Sequence, residues 1–192
     1  MRLRKISKTF IVFVVMVSLF YFQTALAAPV FDAVTTGSSA TSPLTISHTV
    51  SGTNRLLIVW VYQTGNEPGD VSGITYGGVA LTQSGELLWS TNLRIQAWYL
   101  IAPATGANDT VITITNPGAG RNGASVLSYT GVNQTTPLGT FASAQGTSAT
   151  PSVNVTSAAG ELVSDGAMQE PQNPTPVFTV GAGQTQRSNF VS

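Results

Sequence analysis

The sequence predicts an all-β protein: an antiparallel β-sandwich of the jelly-roll kind, about nine short strands, following an N-terminal signal-peptide helix. Three observations lead there. Short runs of β-branched and aromatic residues recur along the chain, separated by turn residues, which is the pattern of short paired strands. All 19 glycines and all 10 prolines lie after residue 27, and no stretch beyond that point keeps a helical period. Cysteine is absent, so packing and backbone hydrogen bonds must hold the fold without disulfides, and thiol nucleophiles, redox pairs and thiolate zinc sites are excluded.

Residues 1–27 stand apart. Arg2, Arg4, Lys5 and Lys8 give a basic start, the run from Phe10 to Phe22 is apolar except for Ser18 and is followed by the small-residue exit Ala25-Leu26-Ala27. That order is the layout of a secretory signal peptide, with cleavage expected before Ala28. The apolar run is shorter than the about 20 residues a bilayer-spanning helix needs, so no membrane association is expected after cleavage. The reading is a secreted or cell-surface protein with one domain over residues 28–192. Removing the leader also changes the charge. The whole chain balances 8 Lys/Arg against 8 Asp/Glu, but residues 28–192 keep only Arg55, Arg94, Arg121 and Arg187 against every carboxylate. A lysine-free, mildly acidic surface lacks the clustered cations that nucleic acid requires.

Along the domain, Leu44–Val50 alternates, with Leu44, Ile46, His48 and Val50 on one face. Arg55–Gln63 is apolar on both faces, which places it in the middle of a sheet covered on both sides, or with one face against a ligand or partner. Ile74–Gln83 reads as one strand with a bend or bulge at Gly77-Gly78. Arg94–Ile101, Asp109–Thr115, Ala124–Thr130 and Ser152–Thr156 alternate; Leu138–Ala142 and Glu161–Met168 follow the pattern less closely. Pro171, Pro174 and Pro176 make Glu170–Pro176 a loop.

Several phrases resemble a recurrent β-sandwich module of secreted bacterial proteins, often found in tandem: Tyr76-Gly77-Gly78-Val79-Ala80-Leu81-Thr82, Trp98-Tyr99-Leu100, Tyr129-Thr130-Gly131-Val132-Asn133-Gln134-Thr135-Thr136-Pro137-Leu138-Gly139 and Gly181-Ala182-Gly183-Gln184-Thr185. The resemblance implies a concanavalin-like or jelly-roll fold, neighbouring β-sandwich modules as partners, and no catalytic residues. It also implies a closing strand beyond Arg187 that this chain lacks.

The residues nominate binding before catalysis. His48, the single histidine, lies on an apolar strand face, where a hydrogen-bonded interior role is expected, and no Gly-x-Ser-x-Gly elbow accompanies it. Glu161 and Asp165 would be about 13 Å apart along a strand, beyond the about 5–9.5 Å of glycosidase pairs. A glycoside hydrolase would need a pair assembled across loops. Asn66, Glu67 and Asp70 offer hard oxygen ligands for calcium, but ordinary turn chemistry explains them equally. The face Arg94, Gln96, Trp98 and Leu100 is polar with an indole in it, and Trp89 is placed in a loop, Ser84–Asn92. Aromatic rings beside guanidinium and amide groups suit a polysaccharide or cell-surface glycan, so Trp89, Arg94, Gln96 and Trp98 are the expected ligand-binding residues. Both indoles could instead fill the sandwich core. The alternative function is a structural spacer in a larger surface protein. Asn108, Asn133 and Asn154 head glycosylation sequons.

Overall fold

The computed structural model describes residues 28–65, 69–89, 93–115, 121–147, 152–169 and 178–189. The leader (residues 1–27), the calcium candidates Asn66 and Glu67, and the proline loop lie outside the described residues.

Two antiparallel sheets form. Their strands are β1 Val30–Ser39, β2 Leu44–Val50, β3 Leu56–Thr64, β4 Asp70–Tyr76, β5 Val79–Ala80, β6 Thr82–Trp89, β7 Leu93–Ile101, β8 Gly106–Thr115 and β9 Asn122–Thr130. One sheet has the order β1-β9-β3-β7-β6 and the other β2-β8-β4-β5. No helix is found among the described residues, as the composition required.

β3 is the central strand of the larger sheet, and its two apolar faces are both used. Leu57, Val59 and Val61 point between the sheets, where they meet Leu44, Ile46, Val71, Ile74, Tyr76, Ile112 and Ile114. Leu56, Ile58, Trp60 and Tyr62 point the other way, into a second apolar layer with Ile95, Tyr99, Leu127 and Tyr129. That outer layer is closed by irregular chain beyond β9, through Val132, Leu138, Phe141 and Met168. The smaller sheet has one wet face, with Thr45, Ser47, Thr49, Thr113 and Thr115 exposed, the ordinary condition of an antiparallel sheet.

Several expectations are corrected. β1 has no strand prediction and pairs with β9 along its length. An extra residue at Asp32 shifts its register between Phe31 and Ala33, and such a bulge breaks the period of 2 that marks a strand in sequence. Ile74–Gln83 is not one strand: Gly77 and Gly78, with φ of 55° and 82°, turn the chain between β4 and β5. Residues Ser84–Trp89 are not a loop but belong to β6, the edge strand of the larger sheet. Leu138–Ala142, Ser152–Thr156 and Glu161–Met168 form no strand; they run without ladder partners.

Phe141 shows how closely the irregular segment fits. Its ring lies so near Gly85 of β6 that a Cβ there would overlap it. Gly85→Ala is therefore expected to destabilise by about 1–3 kcal/mol, the usual range for overpacking, in chemical denaturation. Phe141→Leu in the same chain should recover most of that loss. Additive losses in the double variant would contradict the contact.

Candidate functional site

The four residues nominated by the sequence do not share one surface. Arg94, Gln96 and Trp98 alternate on β7 and point between the sheets; the Trp98 ring is 8% exposed and belongs to the inter-sheet core. Trp89 pairs with Leu93 across β6 and β7, and directly opposed residues of neighbouring strands lie on one face, so the half-buried Trp89 is on the outer side of the sheet.

Around Arg94 and Gln96 the structure assembles a polar end to an otherwise apolar core. Three cross-strand neighbours form its floor: Asn122 of β9, Gln63 of β3 and Arg94 of β7. Gln63 Nε2 donates to Asn122 Oδ1 at 3.1 Å. From the facing sheet, Asp70 at the start of β4 reaches over this row, accepting from Arg94 Nη1 at 2.6 Å and from Gln96 Nε2 at 3.2 Å. The same Gln96 nitrogen donates to Glu86 Oε2 of β6 at 3.0 Å, and Trp98 Nε1 donates to Gln96 Oε1 at 3.4 Å. The β6 bulge between Gln83 and Gly85 preserves the alignment of Glu86 with Gln96.

Two atoms in this cluster are buried and have no hydrogen-bond partner among the described residues: Gln63 Oε1 and Arg94 Nε. One is an acceptor and the other a donor, and Gln63 is 0% exposed. They sit on directly opposed residues, whose Cβ atoms in such pairs are about 4.5–5.5 Å apart. A hydroxyl both donates and accepts, so one hydroxyl group complements the two. Leaving either atom unmet costs roughly 1–3 kcal/mol. Asp70, with its side chain 69% exposed, marks where the cluster reaches solvent.

Asp70 and Glu86 are a pair of carboxylates assembled from separate strands, which no spacing within one segment discloses. The Gln96 amide nitrogen lies between them, where the scissile oxygen of a glycoside would have to stand. No group of three or more His, Asp or Glu suited to a metal ion occurs among the described residues, and Arg94 already neutralises Asp70.

His48 has the interior role its pattern implied. It is 1% exposed, and its ring bridges Thr35 Oγ1 at 3.0 Å and Ser128 Oγ at 3.1 Å. Ser128 Oγ also donates to Asp32 Oδ2 at 2.7 Å. Since an ionised carboxylate only accepts, the serine proton is committed to Asp32; Nε2–H of neutral His48 must then donate to Ser128 Oγ, and Nδ1 accepts from Thr35. The arrangement is the reverse of nucleophile activation, in which histidine takes the serine proton. Ser128 is itself fully buried.

No protein-family model, curated protein or solved structure matches the chain.

Burial holds the His48 pKa below its ordinary value, against the upward pull of Asp32. Burial raises that of Asp32, but hydrogen bonds from the Ser51 hydroxyl and amide and from Ser128, with the His48 charge, outweigh it and leave the carboxyl lowered. The unfolded chain therefore binds more protons at both groups, so stability falls on acidification. The loss from His48 should begin as pH drops through about 6.5 and that from Asp32 below about 4. His48→Gln should flatten the melting-temperature profile between pH 7 and 5 and leave the steeper loss at lower pH; an unchanged slope above pH 5 would refute the assignment.

Proposed function

We propose that this chain is an exported, non-catalytic β-sandwich module of jelly-roll type that binds carbohydrate at the polar end of its inter-sheet core, outside the cell or at its surface. The basic-apolar-small order of residues 1–27 supports export. The lysine-free acidic balance of the remainder argues against phosphate-rich partners. The observation that carries the reading is a buried donor and acceptor without a partner among the described residues, Arg94 Nε and Gln63 Oε1, within a cluster of amides and exposed carboxylates. Sugar hydroxyls are recognised by such groups, and a site built to hydrogen-bond a hydroxyl rejects ligands without one.

In this reading Asp70 and Glu86 accept from further hydroxyls, while Gln96 and Arg94 hold both carboxylates in place. Trp98 contributes by fixing the Gln96 carbonyl and filling the space behind it, not by stacking on a sugar. Trp89, on the other face, takes no part at this end.

A glycan array probed with the domain tests this. Binding to at least one glycan is expected, and Gln63→Leu and Arg94→Met should each weaken it at least tenfold. Trp98→Phe, which keeps an aromatic ring but is smaller and loses the donor to Gln96, should cost a few-fold, and Trp89→Ala should leave affinity unchanged. A domain that binds no glycan, or binds equally well as the Gln63 and Arg94 variants, would sink the proposal and favour the structural-spacer role.

A further inference from the structure

Three primary amides are buried at the polar end of the sandwich: Asn122 on β9, Gln63 on β3 and Gln96 on β7. An amide carries donors at one end and an acceptor at the other, so each can be turned end for end unless a neighbour forbids it. Here the neighbours forbid it. Ser39 stands directly opposite Asn122 in the β1–β9 ladder, and its backbone carbonyl only accepts. Asn122 therefore gives it Nδ2, at 3.4 Å, and keeps Oδ1 for β3. Gln63 answers with Nε2, which donates to Asn122 Oδ1 at 3.1 Å. That commits Gln63 Oε1 to the remaining side, where it has no partner among the described residues. A carbonyl on β1, two strands away in the sheet order, thus decides that β3 presents an acceptor.

From the other edge the orientations are fixed likewise. The Trp98 indole only donates, so Gln96 gives it Oε1, at 3.4 Å, and turns Nε2 to Asp70 at 3.2 Å and to Glu86 at 3.0 Å. Asp70 Oδ1, which when ionised only accepts, also takes Arg94 Nη1 at 2.6 Å. The guanidinium is held by that nitrogen, and its Nε, a donor, has no partner among the described residues. Two hydrogen-bonded chains therefore end at one cross-strand pair, Gln63 opposite Arg94, with an acceptor on β3 and a donor on β7. A group that bridges them has to give a proton to Gln63 and take one from Arg94. A free hydroxyl does both at one atom. An ether oxygen, an ester or a carboxylate takes from Arg94 but sets lone pairs against Gln63 Oε1, and an ammonium gives but cannot take.

We propose that Asn122, acting through Gln63, is a positioning residue that sets the polarity of this site, and that the site selects glycans whose bound sugar keeps a free hydroxyl at the contacted position. Sugars methylated, acylated or oxidised to a carboxylate there are rejected. The inference rests on the carbohydrate reading above and adds the ligand's chemistry at one oxygen together with the residue that enforces it. Removing the Asn122 acceptor frees Gln63 to present either end, so the demand for a proton-giving group relaxes. A merely structural Asn122 would instead weaken every ligand alike.

An array of gluco-, galacto- and manno-oligosaccharides tests this when each is printed unmodified and with fluorine in place of one hydroxyl at a time. Fluorine is close to a hydroxyl in size and cannot donate. The wild-type domain is expected to bind at least one unmodified glycan and to lose about tenfold or more at one fluorinated position, since a buried acceptor is then left unmet. Asn122→Leu and the smaller Asn122→Ala should each cut that discrimination several-fold, while Asn122→Asp, which still accepts from Gln63 Nε2, should keep it. Leu and Ala variants that bind more weakly but discriminate as the wild type does would overturn the role of Asn122. Wild-type binding with no loss at any fluorinated position needs no variant to interpret: it would overturn the selectivity and leave the carbohydrate reading in place. No binding to any unmodified glycan would remove that reading and this inference with it.

Discussion

A strand with no polar face has to be kept from water on both sides, and β3 imposes that condition on the whole molecule. Leu57, Val59 and Val61 demand a second sheet; Leu56, Ile58, Trp60 and Tyr62 demand a further cover. The first demand is met by four strands whose own apolar faces need the same contact, so each sheet completes the other. Burying a side chain of this size contributes about 1.5–3 kcal/mol, which makes β3 the densest source of stabilisation in the chain. The second demand is met by irregular chain, so the inter-sheet core is walled by two sheets and the outer layer by one sheet and irregular chain.

Polar groups inside the sandwich are of two kinds, matched and unmatched; among the described residues the buried unmatched side-chain atoms are Gln63 Oε1, Arg94 Nε and, apart from them on β8, Thr110 Oγ1. The His48–Ser128–Asp32 chain is fully matched: each proton has an assigned acceptor, and the network ties β1 and β2 to β9 at the sheet edge. The opposite condition holds around Gln63 and Arg94, where a donor and an acceptor have no partner among the described residues. Buried unmet groups of this kind are rare in folded proteins, and each calls for a reason. A hydroxyl ligand supplies one for both atoms together, whereas a purely structural role would favour apolar residues at the same positions.

Much of this is legible in the sequence, and the limits have physical causes. Alternation alone put Arg94, Gln96 and Trp98 on one face and His48 among apolar neighbours, because side-chain direction in a strand has a fixed period. Alternation could not say which face of β7 looks outward, since Ile95, Ala97, Tyr99 and Ile101 are apolar and the opposite face ends in Trp98 and Leu100. It also could not join Asp70 to Arg94, because that contact crosses between sheets. β1 escaped notice because its bulge at Asp32 breaks the period, yet that bulge brings Asp32 to Ser128. Ser152–Thr156 and Glu161–Met168 read as strands for the converse reason: local pattern is satisfied there, but a strand also needs a free edge to pair with, and pattern carries no information about that.

The central claim is that Gln63 and Arg94 hold complementary atoms in wait for a hydroxyl. The most direct measurement is a nuclear magnetic resonance titration that follows the Arg94 Nε–H resonance as a bound glycan is added. A shift that saturates with binding and vanishes in Gln63→Leu is the predicted result. A glycan that binds while the Arg94 Nε–H resonance stays still would contradict the account.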